Sequence, residues 1–156
     1  MLHLTIPGRG TYTLEHLILD LNGTIALDGE IIGGVRERLT KLSQSLEITV
    51  VTADTNKNVE SLLKELPVSI YRINEGLEDE QKLAVVLRKG RDKTISIGNG
   101  CNDVSMLRES SIGICVVGRE GASPEAMLAS DLVVRTIDDA FDLFLQPHRL
   151  RASLRR

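Results

Sequence analysis

Cysteine is scarce. Only Cys101 and Cys115 occur among 156 residues, at no metal-ligand spacing, so neither a disulfide framework nor a zinc site is expected. Long apolar runs are missing as well. No stretch approaches the ~20 apolar residues that span a bilayer, and the first residues lack the charged, apolar, small-residue order of a secretion signal. A cytoplasmic protein with no membrane partner is therefore expected. Nor is there an excess of one charge: 19 basic and 22 acidic residues leave a net charge of −3, which gives no reason to expect a nucleic-acid partner. Arg149, Arg151, Arg155 and Arg156 form the only basic cluster, and residues 147–156 read as a solvated, frayed tail. Internal repeats and low-complexity segments are absent.

What is present suffices for one domain over residues 1–156, since 42% hydrophobic content supports a core without covalent staples. Residues 1–13 read as an N-terminal extension or hairpin, with Pro7-Gly8-Arg9-Gly10 as a turn. Short apolar runs resembling buried strands follow: Leu17–Leu19 ending at Asp20, Ile48–Val51 ending at Thr52, and then residues 70–73, 94–97, 113–117 and 132–134. Helical stripes fill the gaps. Val35, Leu39, Leu42 and Leu46 form one, and Val59, Leu62, Leu63 and Leu66 another. Leu83, Val86 and Leu87 mark a third helix, and Val104 to Leu107 a fourth. Ser123-Pro124 opens a fifth, and Ala140, Phe141, Phe144 and Leu145 mark the last. Alternation of this kind indicates an α/β fold, a doubly wound and mainly parallel sheet with helices on both faces. In such sheets the chemistry lies beyond the carboxyl ends of the strands.

Polar and glycine-rich residues collect there: Asp20-Leu21-Asn22-Gly23-Thr24, Thr52-Ala53-Asp54, and Gly98-Asn99-Gly100-Cys101-Asn102-Asp103. The glycines let backbone N–H groups approach an anion closely. Carboxylates beside a phosphate repel it unless a cation intervenes, so Asp20 and Asp103 imply a hard divalent ion, Mg²⁺ above all. Lys82 adds positive charge in the first turn of the third helix, against its dipole. Asp79 and Glu80 offset that locally, so a surface lysine is the competing reading.

These segments, in this order, resemble the four motifs of the haloacid dehalogenase superfamily. They are most similar to the phosphorylation domain of P-type ATPases and its soluble relatives, and the similarity covers about residues 14–145. The resemblance implies a Mg²⁺-dependent phosphatase-like hydrolase working through an aspartyl-phosphate. It makes Asp20 the nucleophile and Thr52 a hydrogen-bond donor to the phosphate, with Lys82 steadying both Asp20 and the phosphoryl group. Gly23, Thr24, Ala53 and Asn102 would complete the phosphate site. The Asp20 carboxylate, the Asn22 carbonyl and Asn99 would hold the metal, with Asp103 beside them or behind them.

Two positions depart from the superfamily's usual pattern. Asn22 stands where its phosphatases carry an acid/base aspartate, and a carboxamide has no useful proton to exchange near neutral pH. Slow turnover and an accumulating phospho-Asp20 are expected. Asn99 replaces a metal-binding aspartate, so metal affinity toward the millimolar range is expected. No cap domain fits between the motifs; residues 25–32 read instead as a small flap hairpin with Asp28-Gly29 at its turn. An open site suits a large or macromolecular phosphorylated substrate, or a homo-oligomer in which a second subunit acts as the cap. The alternative function is a catalytically impaired module that binds phosphate or regulates a partner. A receiver domain, which also phosphorylates an aspartate, carries its acceptor on the third strand and fits this motif order poorly.

Overall fold

The computed structural model describes residues 1–54 and 58–156. The chain opens with a hairpin, β1 (Leu2–Ile6) and β2 (Gly10–Leu14), which turns through Pro7–Arg9. β3 (His16–Asp20) follows, then a small flap of β4 (Ala26–Leu27) and β5 (Glu30–Ile31). Asp28 and Gly29 both take positive φ, 52° and 80°, the backbone twist that a two-residue turn needs to match its strands.

Alternating helices and strands complete the domain. In chain order they are α1 (Val35–Leu42), β6 (Glu47–Thr52), α2 (Asn58–Leu63), β7 (Ser69–Arg72), α3 (Glu78–Lys89) and β8 (Thr94–Gly98). Then come α4 (Val104–Glu109), β9 (Ile112–Val116), α5 (Pro124–Ala129), β10 (Leu132–Val134), α6 (Ile137–Leu145) and α7 (Pro147–Leu154).

Six strands form one parallel sheet in the order β10-β9-β8-β3-β6-β7. Its central strand is buried on both faces, which is why Leu17, Ile18 and Leu19 are all apolar. Leu17 and Leu19 pack with Val35 and Leu39 of α1, Phe141 and Phe144 of α6 and Leu150 of α7. Ile18 points the other way, to Val85 and Val86 of α3 and Met106 of α4. Winding outward in both directions from β3 places the crevice where the order reverses at the carboxyl end of that strand. Ser123 caps α5 by accepting from the Ala126 N–H at 3.0 Å, with Pro124 in the first turn.

Two expectations are corrected. Residues 147–156 are no frayed tail: Pro147 to Leu154 form α7, whose Leu150 and Leu154 are buried in the core that also holds Leu4 and Ile6 of the hairpin. Arg156 N–H donates to Pro7 O at 3.1 Å. The arginines mark the outer face of an amphipathic helix, and the two leucines decide its docking. In α3, Leu87 is 47% exposed, whereas Lys82, Val85 and Val86 face inward. The helix is turned toward its lysine because two buried carboxylates await it there.

Among the described residues no helix is long and apolar enough to cross a membrane. If α7 is part of the folded unit, Leu150→Ala will lower unfolding stability by roughly 2–4 kcal/mol through the cavity it leaves. Arg151→Ala, which alters an exposed residue, will change it by under about 0.5 kcal/mol. Urea denaturation of the two variants measures the difference.

Candidate active site

Asp20 ends β3, and the chain then turns sharply. Leu21 O accepts from Thr24, Ile25 and Ala26 N–H groups at 3.3, 3.0 and 3.0 Å, and Gly23 N–H donates to Ala26 O at 2.8 Å. Gly23 has φ 77°, and a Cβ there would collide with the Glu120 carboxylate and the Asn99 amide. Glycine is required on both counts. The turn folds Thr24 back over Asp20, so that its hydroxyl lies 3.3 Å from Asp20 Oδ2 and 3.4 Å from Asn99 Oδ1. One hydroxyl proton serves one of these acceptors at a time.

Beneath this turn lies a buried ion triad. Lys82 Nζ donates to Asp20 Oδ1 at 2.7 Å and to Asp103 Oδ1 at 2.6 Å, with its side chain 1% exposed. The surface reading of Lys82 is therefore overturned, and the residue sits in the second turn of α3 rather than the first. Asp103 has no exposed surface, and its other oxygen accepts from the Asn99 and Gly100 N–H groups at 2.9 and 3.0 Å. Gly98 makes room for it, since a Cβ at that position would lie 2.5 Å from the Asp103 carboxyl carbon. Burial raises the Asp20 pKa and repulsion from Asp103 adds to it; Lys82 opposes both, and the balance lies at about 7. Burial disfavours the charge on Lys82, but the flanking carboxylates outweigh it and raise the lysine pKa.

Thr52 ends β6 and is buried beside this crevice. Its hydroxyl oxygen accepts from Asp54 N–H at 3.0 Å, which uses a lone pair and not the hydroxyl proton. Half-buried Ala53 continues the same turn. The Asn22 side chain donates to Asp54 Oδ2 at 3.4 Å. Asn99 Nδ2 donates to Gly121 O at 3.2 Å, an anchor that turns its Oδ1 toward the Thr24 hydroxyl. Two expected site residues point elsewhere. Asn102 donates to Glu78 Oε2 at 2.6 Å, which ties its side chain to α3. Asp103 has both oxygens engaged by Lys82 and the backbone, so it acts on the site through Lys82 and the loop of residues 99–103.

A family model described as haloacid dehalogenase-like hydrolase matches residues 80–140. An uncharacterised protein of Methanocaldococcus jannaschii is 51% identical over 63 residues, which cover 40% of this chain and 68% of that one. This chain belongs to the haloacid dehalogenase superfamily. The phospholipid-transporting ATPase NEO1 of Saccharomyces cerevisiae is 29% identical over 143 residues, 91% of this chain but 11% of the transporter. In fold, the chain is similar to the 3-deoxy-D-manno-octulosonate 8-phosphate phosphatase of Moraxella catarrhalis. The TM-score is 0.68 at 19% identity, over 85% of this chain and 86% of that one, and that structure is a complex with magnesium, phosphate and the sugar acid.

The Moraxella catarrhalis phosphatase structure contains magnesium and that of a Haemophilus influenzae phosphatase is a cobalt-bound form; the donors here suit a divalent ion in a particular way. Among the described residues no group of three or more His, Cys, Asp or Glu side chains forms a metal cluster. The available donors are the Asp20 carboxylate, the Asn22 carbonyl and Asn99 Oδ1: hard oxygen ligands with one formal charge, suited to a magnesium ion that keeps several waters. Sequence reading missed Glu120, whose carboxylate crowds Gly23 next to Asn99. It missed Thr24 as a link between Asp20 and Asn99 for the same reason, that both contacts are made by turns.

The elevated Asp20 pKa has a thermodynamic consequence. Between the ordinary value of 3.8 and about 7 the native metal-free protein holds a proton that the unfolded chain has released, so stability falls as pH rises through that window. In excess EDTA, Asp20→Asn will gain on wild type by roughly 2–3 kcal/mol between pH 5 and pH 8, followed by urea denaturation. A pH-independent difference between the two proteins would refute it. Asp103→Asn, which leaves Lys82 one carboxylate short, will cost about 3–5 kcal/mol in the same assay.

Proposed function

We propose that the protein is a phosphoric monoester hydrolase that transfers the phosphoryl group to Asp20. The observation that carries this reading is the juxtaposition of Asp20, ending the central strand, with Lys82 at 2.7 Å and the Thr24 hydroxyl at 3.3 Å. Lys82 fixes Oδ1 and leaves the other carboxylate oxygen to face phosphorus. Asp20 attacks, the ester P–O bond breaks, and the departing alkoxide takes its proton from water. Water then cleaves the acyl phosphate, returning the carboxylate and releasing phosphate.

The chain's own groups supply positioning and charge. Thr52 O–H and the backbone N–H group of Ala53 are the donors assigned to phosphoryl oxygens; Gly23 N–H is spent on Ala26 O. Lys82 balances the charge that develops on them. Asp103 holds Lys82 in place, which keeps the cation from drifting toward solvent. Asp20, the Asn22 carbonyl and Asn99 are the groups that would hold a magnesium ion, which when bound would further neutralise the phosphate and favour the ionised form of Asp20. In the acid/base position Asn22 lacks the proton transfer that typically contributes 10²–10⁴-fold, so phospho-Asp20 accumulates and turnover is slow. The site lies open beside the flap, which admits an extended phosphorylated substrate or a second copy of the chain as a cap.

A second reading, a phosphate-binding regulatory module, is favoured by the same two asparagines. A Mg²⁺ titration with an aryl phosphate decides between them. Wild type will hydrolyse it slowly and with millimolar dependence on magnesium. Asp20→Asn will abolish turnover, and Asn22→Asp will raise the steady-state rate at least about 10-fold. Mass spectrometry of the quenched wild-type protein will show one added phosphoryl group. A protein that is never phosphorylated and never turns over is the regulatory module.

A further inference from the structure

Beyond the nucleophile, a cleft of about 690 Å³ opens between the flap and the rim formed by the ends of β9 and β10. Its inner end is Gly23 and Thr24, the turn whose hydroxyl reaches Asp20. Arg119 and Arg135 stand on the rim. Backbone pairing past the strand ends puts them there: Val117 N–H donates to Val134 O at 2.9 Å and Gly118 N–H to Arg135 O at 3.1 Å. The two guanidinium groups thus flank one cleft on adjacent chain segments.

Neither has an ion-pair partner among the described residues. Arg9, Arg36, Arg38, Arg72, Arg91 and Arg149 each have a carboxylate within reach; of the arginines without one, Arg119 and Arg135 are those that line this cleft. Carboxylates are present in the cleft too, and they are used differently. Asp138 is taken by Arg38 at 3.3 Å, and Asp28 and Glu30 lie on the flap across from the rim. Both arginines are exposed and free to meet a ligand in the cleft, and a guanidinium fork suits a planar carboxylate or a phosphate.

Resting on the assignment of phosphoryl transfer to Asp20, we infer that the substrate is a phosphomonoester with a second anionic group on its leaving part. Arg119 and Arg135 are the residues that select it. The phosphoryl group sits at Asp20 and Thr24, past the Glu120 carboxylate that borders Gly23, and the carbon skeleton lies along the cleft. A carboxylate or second phosphate meets the rim. Glu30 and Asp28 on the opposite wall repel an anion placed the other way round, which sets the orientation.

Non-hydrolysable phosphonates test this independently of turnover. Binding of 3-phosphonopropionate, 1,3-propanediphosphonate and propylphosphonate to the wild-type protein with Mg²⁺ is measured by calorimetry. The doubly anionic ligands will bind roughly 10- to 100-fold tighter than propylphosphonate, the range of one or two charge-assisted contacts. Arg119→Gln and Arg135→Gln will each reduce that preference and the double variant will abolish it, while propylphosphonate affinity stays within about 2-fold. Equal affinity for the three ligands in wild type, a preference that survives in the double variant, or binding of none of them overturns the inference. An arginine-dependent preference in a protein that does not hydrolyse aryl phosphate upholds the anion site and removes the catalytic reading instead.

Discussion

The crevice is organised around one buried ammonium group between two carboxylates. Lys82 is almost fully enclosed, and burying its charge is tolerable only because Asp20 and Asp103 both accept from it. The consequences spread outward. α3 is turned so that Leu87 faces solvent and Lys82 faces the sheet. Asp103 uses its other oxygen to hold the backbone of Asn99 and Gly100, so the carboxylate that anchors Lys82 also shapes the loop presenting Asn99. Gly98 has no side chain because the Asp103 carboxyl group occupies that space. The helix that carries Lys82 is also tied to α4. Asp79, in the first turn of α3, accepts from Ser105 N–H at 2.7 Å, linking the lysine helix to the start of the helix that follows Asp103.

Charge at the site is rationed. A superfamily pattern with aspartates at positions 22 and 99 would put two more negative charges beside Asp20, whose pKa is already raised by burial and by Asp103. With asparagine at both places the crevice carries less negative charge, and a carboxamide has no proton to exchange near neutral pH. On the proposed function these effects share one origin and would favour holding a phosphoryl group over releasing it quickly. The two rim arginines extend the same electrostatic logic to the rest of the cleft.

Much of this arrangement was legible before any coordinates. Asp20, Thr52 and Asn99 announced themselves as polar residues directly after apolar strands. In the structure all three stand at the same edge of the sheet, because parallel strands joined by crossover helices put their carboxyl ends together. The flap was legible from Asp28-Gly29, a pair suited to positive φ. Less legible were residues whose role depends on what they meet. Asn102 stands in the same loop as Asn99 but binds Glu78. The stripe Leu83, Val86, Leu87 looked like a buried face, yet apolar periodicity does not reveal that a lysine has two carboxylates waiting. The C-terminal arginines masked Leu150 and Leu154, whose spacing of one helical turn was the available signal for α7.

The sequence by itself determined the class of fold, the order of the strands along the chain and the ends at which chemistry collects, because these follow from hydrophobic period and the handedness of parallel connections. Tertiary structure alone decided which face of α3 turns inward, which oxygen of each aspartate is spent, and that Arg119 and Arg135 share a cleft with Gly23 and Thr24. Those outcomes depend on contacts between residues far apart in the chain. Burial of an ion is offset only where the opposing charges arrive together in space, and spacing along the sequence carries no record of that meeting.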